Sequence, residues 1–158
     1  MEQKVKEVIQ TFVNSVLNVL GTMAMVEAKP GKAYVKQDNT AKGDISGVIG
    51  FSSTTGSSKG TMSVSFTHDS VLAIINNMLG EDYQEVTNEV ADAVGELTNM
   101  ISGQARKGLA EVDMEFEASI PTVVTGKDHS IRHVSSSAIL AIPFETDGGP
   151  LTVEICFS

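Results

Sequence analysis

The chain has 158 residues, with 20 acidic and 11 basic side chains and a net charge of −9 with histidine neutral. That length predicts one domain with enough interior for a real core, and its one cysteine, Cys156, excludes a disulfide framework and any multi-cysteine metal centre. The acidic surplus, with no tryptophan and 5% aromatics, argues against nucleic acid and anionic membranes, which need surplus Lys and Arg or stacking platforms.

The first segment reads as an amphipathic helix. Val5, Val8, Ile9, Phe12, Val16, Val19, Leu20 and Met23 recur at i, i+3, i+4 spacing. Glu2, Glu7, Asn14, Ser15 and Asn18 interrupt the apolar positions, so the segment suits neither a signal peptide nor a membrane span, and a cytoplasmic protein is expected. The helix ends before Lys29-Pro30-Gly31, a breaker. Strands follow at 33–36, 45–51 and 60–67, with SSTTGSSKG as the loop between the last two. In the third, Met62, Val64 and Phe66 alternate with Thr61, Ser63 and Ser65, which predicts one buried and one wet face.

Thr67 or His68 caps a short helix over 69–79, with Gly80 just past its end. A second long helix is predicted over 88–109. Three more strands follow at 115–124, 135–144 and 151–157, with turns at Gly126-Lys127-Asp128 and Asp147-Gly148-Gly149-Pro150. The order α-βββ-α-α-βββ contains a long helix followed by three strands twice, about 1–67 and 86–158, which suggests an internal duplication in a single domain. The expected fold is α+β and two-layered, with helices on one face of a largely antiparallel sheet. The last strand, LTVEICFS, carries few charges and reads as an unprotected edge open to a second copy.

Several motifs fail on context. Gly56-Ser57-Ser58-Lys59-Gly60 spells G-x-S-x-G but lacks the strand-before, helix-after setting of a nucleophile elbow. Gly43, Gly47 and Gly50 have the wrong spacing for a dinucleotide loop, and the stretch from Gly103 to Gly108 lacks the Gly-Lys-Ser/Thr end of a phosphate loop. These are expected to be close-packing glycines. His129 and His133 would sit about 13 Å apart on one strand face, too far for one ion, so a solvated hairpin is expected and no metal site. His68 reads as a helix-start residue.

The second long helix is more informative. Val90, Val94, Leu97, Ile101 and Ala105 form a narrow apolar stripe, and Asp92, Glu96, Asn99 and Gly103 form a polar stripe opposite it. Periodicity alone makes this a solvated face, in which Asp92 and Glu96 are mildly repulsive at i, i+4.

The run Asp92-x3-Glu96-x2-Asn99, then 21 residues, then Pro121, resembles the signature of the CheC/CheX/FliY phosphatases of bacterial chemotaxis. The α-βββ duplication and the length fit, and the stretch LNVLGTM…PGKAYVK is similar to the CheX branch. The resemblance implies hydrolysis of the aspartyl phosphate of a CheY-type response regulator. It makes Glu96 the residue that docks the regulator's active-site lysine and Asn99 the catalytic residue that orients the attacking water, with Asp92 and Pro121 as supporting positions. It also implies a homodimer and no cofactor of the chain's own, the Mg²⁺ being held by the regulator's carboxylates.

The residue types suit that chemistry. An acyl phosphate is already activated, so hydrolysis needs chiefly an in-line water and charge stabilisation. A carboxamide can accept from and donate to water without titrating. Aligning the apolar stripes of the two long helices puts Ser15 at the position of Glu96 and Asn18 at that of Asn99, with Thr40 where a proline would fall; the first copy reads as a degraded site. The alternatives are a non-catalytic module that binds receiver domains or a flagellar switch component, and a structural domain whose acidic helix face is only solvated.

Overall fold

The helix signals in the sequence act where they stand. A computed structural model describes residues 3–36, 38, 40–127, 129–131, 133 and 138–158. In chain order it comprises α1 (Gln3–Met23), β1 (Lys29–Pro30), β2 (Tyr34–Lys36), β3 (Ile45–Ser53), β4 (Lys59–Phe66), α2 (His68–Leu79), α3 (Asn88–Ala110), β5 (Phe116–Ala118), β6 (Thr122–Thr125), β7 (Ile139–Thr146) and β8 (Gly149–Phe157). Thr67 caps α2 through a reciprocal pair with Ser70, and Gly80 ends it at φ 66°, a left-handed turn that glycine adopts without a Cβ penalty. Thr87 caps α3 by accepting from the Val90 amide at 3.2 Å.

The strands form one antiparallel sheet in the order β1-β7-β8-β4-β3-β5, with β2 also on β7 and β6 also on β3. The fold is therefore the expected α+β arrangement of helices on an antiparallel sheet. Apolar side chains of all three helices, among them Phe12, Val16, Ile74, Val90, Leu97 and Ile101, join Ile49, Val64, Phe66, Val153 and Ile155 of the sheet in one core. Full burial of such side chains contributes roughly 1.5–3 kcal/mol each.

Four expectations need correction. First, β8 is no edge: it lies between β7 and β4, with Leu151 through Cys156 buried. A strand covered on both faces needs few charges, so the feature read as exposure is the mark of a centre strand.

Second, the predicted strand over 115–124 breaks into β5 and β6. Ala118 pairs with Phe51 and Thr122 with Val48, so Ser119, Ile120 and Pro121 face only Ile49 and Gly50. This is a β-bulge of one extra residue, and it falls where Pro121 has no amide to give the ladder.

Third, the face of Thr61, Ser63 and Ser65 is buried rather than wet. Fourth, His129 and His133 help to cover it and are not a solvated hairpin. His129 donates from Nδ1 to the Gly126 carbonyl at 2.6 Å, and its Nε2 lies 2.6 Å from Ser46 Oγ. His133 is buried, with Nδ1 2.5 Å from Thr61 Oγ1 and Nε2 3.2 Å from the Glu154 carboxylate. Lys36 completes the cluster, 2.6 Å from Glu154 and bonded to the Thr40 carbonyl. Burial alone would raise the Glu154 carboxyl, but the hydrogen bonds and charges of His133 and Lys36 outweigh it and hold the group below the usual carboxylate range. Residues 135–137 of the predicted strand over 135–144, and position 128 of the predicted turn, lie outside the described residues.

Candidate functional site

Helix α3 carries the site, and a glycine sets its height above the sheet. A Cβ on Gly47 of β3 would collide with the Thr98 side chain of α3, so only glycine lets the helix settle this close. Thr98 turns its buried hydroxyl back to donate to the Val94 carbonyl at 2.7 Å, so that group is paired. Val90, Val94, Leu97, Ile101 and Ala105 are all fully buried, as their spacing predicts. The opposite face then points outward, and Asp92, Glu96 and Asn99 are exposed.

The bulge raises Pro121 beside that face. Asp92, Glu96, Asn99 and Pro121 line one open pocket of about 450 Å³, together with Gly95, Met100, Ala91 and Val123. Residues separated by more than 20 positions thus meet because β6 runs beside β3, beneath α3. Among the described residues, no hydrogen bond or ion pair holds the side chains of Asp92, Glu96 or Asn99, so all three are available to a partner. The described residues contain no group of three or more His, Cys, Asp or Glu side chains placed to hold a metal ion.

The arrangement offers a rigid rail: a carboxylate at Glu96 and, one turn on, a carboxamide at Asn99. Such a rail can enter another protein's cleft, pair with a cation there and orient a water. It has no nucleophile–base pair for covalent chemistry of its own.

Sequence reasoning missed the lining contributed by Gly95, Met100 and Val123 and the exposed Ile120 beside the pocket. A glycine inside an otherwise regular helix often has a packing reason, but at Gly95 an added Cβ would make only ordinary contact, with Val123 Cγ2 at 3.5 Å, so packing does not require the glycine there.

Ser15 and Asn18, the first-half counterparts, both line the groove between α1 and α3, but each side chain is engaged within the chain. Ser15, aligned with the exposed Glu96, is 4% exposed and donates to the Thr11 carbonyl at 2.7 Å. Asn18 is exposed but donates to Gln104 of α3 at 2.6 Å. The cause is the packing of α1 side-on against α3, where Thr11 lies against Gly108 and a groove of about 590 Å³ runs between the helices.

Residues 45–145 match the family described as chemotaxis phosphatase CheX. The chain belongs to this family. Among its relatives, the CheY-P phosphatase CheX of Thermotoga maritima is 27% identical over 137 residues, which cover 86% of this chain and 85% of that protein. The crystal structure of a chemotaxis protein from Desulfovibrio vulgaris Hildenborough is 51% identical, covers 96% of this chain and 97% of its own, and superposes with a TM-score of 0.87. A CheX from Desulfovibrio desulfuricans is 45% identical, with coverages of 96% and 99% and a TM-score of 0.88. No helix among the described residues is long and apolar enough to cross a membrane.

Proposed function

We propose that this CheX-family chain hydrolyses the aspartyl phosphate of a CheY-type response regulator, with Asn99 orienting the attacking water and Glu96 docking the lysine of the regulator's active site. The observation that carries the reading is the convergence of Asp92, Glu96, Asn99 and Pro121 on one exposed pocket; family membership supplies the substrate class. The water oxygen attacks phosphorus in line, the bond from phosphorus to the aspartyl oxygen breaks, and the products are inorganic phosphate and the regulator's free carboxylate. Asn99 accepts a hydrogen bond from the water and fixes its lone pair on phosphorus. The Mg²⁺ that neutralises the phosphoryl oxygens belongs to the regulator, so this chain needs no cofactor of its own. Asp92 and Pro121 shape the pocket wall.

The same reading makes the protein cytoplasmic and homodimeric, and its two halves degenerate copies of one unit. With β8 in the sheet's interior, the dimer falls to an edge, and β2 exposes Tyr34 and Val35 there. Light scattering of the purified chain tests the dimer, and a monomer at working concentration would count against it. Decay of phosphorylated CheY-type receivers with the wild type, Asn99→Ala and Glu96→Ala tests the activity. Unaltered receiver lifetime with the wild type would overturn it.

A further inference from the structure

Ile120 stands immediately before Pro121 and is 87% exposed. A lone exposed apolar residue is ordinarily unremarkable. This one is held in place. Its neighbour Ser119 is clamped to β3 twice, donating from its amide to the Gly50 carbonyl at 2.9 Å and accepting from the Gly50 amide at 3.0 Å. On the other side the ring of Pro121 fixes its own φ. The bulge therefore presents Ile120 as a rigid knob, with little conformational freedom left to lose on binding.

A second apolar feature flanks the polar rail on its other side. Leu79, 41% exposed, lines a depression of about 460 Å³ with Met78 and Tyr83, and that depression shares Asp92 and Glu96 with the Pro121 pocket. The described residues lining the two hollows include Glu81, Glu89, Asp92 and Glu96 and no Lys, Arg or His. The face is thus an acid-and-amide strip between two apolar shoulders, the layout of a protein interface whose partner brings a cation to the middle and apolar surface to the sides.

We infer that Ile120 is a specificity-determining docking residue: it seats on apolar surface beside the phosphorylated cleft of the receiver domain and supplies affinity for it. This rests on the proposed phosphatase reading for the identity of the occupant. The continuity of the shoulders with the Glu96 rail selects a receiver domain, whose cleft lysine answers the acids, over a purely apolar partner.

The test measures binding separately from turnover. CheY-type receiver domains activated with beryllofluoride and Mg²⁺ are titrated against wild type, Ile120→Ser and Ile120→Leu, and hydrolysis of the phosphorylated receivers is followed in parallel. Ile120→Ser is expected to raise Kd and KM by about 10–100-fold, the factor that corresponds to burying one such side chain, with kcat nearly retained, and Ile120→Leu to restore most of the affinity. Because Ile120 is 87% exposed, loss of folding is not expected, and the thermal midpoint checks this. Unchanged binding by Ile120→Ser, with the wild type active, would overturn the docking role and leave the phosphatase reading intact. Weakened binding by Ile120→Ser together with full hydrolysis by Asn99→Ala would support the docking role and remove the catalytic assignment. No binding of any receiver by the wild type would overturn both.

Discussion

Replacing Asn99 with alanine should move activity and stability in opposite directions. The side chain is exposed on a continuous turn of α3, and no hydrogen bond among the described residues ties it down. Removing it breaks no hydrogen bond among the described residues and exchanges a poor helix former for the best one, a gain of about 0.5–0.7 kcal/mol. For a domain of this size that gain corresponds to a rise of about 1–3 °C in the melting midpoint. The catalytic side runs the other way. Losing one preorganised polar group that positions the reacting species costs about 10²–10³-fold in kcat, or about 2.7–4 kcal/mol. The assay pairs single-turnover decay of a phosphorylated receiver with a thermal melt of the same preparation. Decay as fast as with the wild type would refute the water-positioning role. A fall in the melting midpoint would refute the claim that Asn99 has no structural role, and the activity loss would then have a trivial explanation.

Other positions carry separable consequences. Gly47→Ala places a methyl against Thr98, which should cost about 1–3 kcal/mol by overpacking and lift α3 from the sheet; adding Thr98→Ala should return part of the loss in urea melts, and purely additive effects would show that the two residues do not meet. Pro121→Ala should keep the bulge, because Ser119 rather than the ring makes the clamp, and should cost only about 0.4–1 kcal/mol through greater freedom of the unfolded chain; a much larger loss of stability would make the proline a structural keystone instead. Glu154 has a folded pKa below its unfolded one, so its contribution is present above the unfolded carboxylate value and disappears as pH falls through the depressed folded value. Glu154→Gln, which also strands the buried Lys36, should cost about 3–5 kcal/mol at neutral pH and flatten the acid limb of stability; parallel acid-unfolding curves for wild type and variant would contradict this.

Local signals were readable in the sequence because local physics decides them. The caps at Thr67 and Gly80 and the buried stripe from Val90 to Ala105 depend on neighbours within a turn or two. The positions that fall together in the candidate pocket could be named because three share one helix face, and the fourth entered through the spacing of a family signature. What escaped was set by distant chain. The polar alternation of Thr61, Ser63 and Ser65 is that of a wet strand until His129 and His133 bond to that face. The sparse charge of the last strand fits an edge or a centre equally, and only the pairing with both β4 and β7 decides. Ser15 looked like a counterpart of Glu96 because periodicity places a residue on a helix but does not say which neighbour covers it.

The bulge adds a further step. It is not peculiar to the candidate site, for the first half of the chain has another. Pro30 pairs with Phe144 and Tyr34 with Ala141, so Gly31, Lys32 and Ala33 also face two residues. The Gly31 amide donates to the Pro143 carbonyl at 2.7 Å, as the Ser119 amide does to Gly50. By this register the counterpart of Pro121 is Ala33 and not Thr40, where counting from Asn18 had put it, and the counterpart of Ile120 is Lys32. Two bulges of the same register therefore carry different surfaces: an exposed isoleucine in the half whose helix offers a free acid and amide, and an exposed lysine in the half where Ser15 is buried and Asn18 is engaged by Gln104. Bulges are common next to active sites, but here the backbone device is shared and cannot by itself define function. The difference between the halves resides in a few side chains, Ile120, Pro121, Glu96 and Asn99 against Lys32, Ala33, Ser15 and Asn18, and a receiver whose cleft offers a lysine would be repelled by Lys32 where it could be drawn to Glu96.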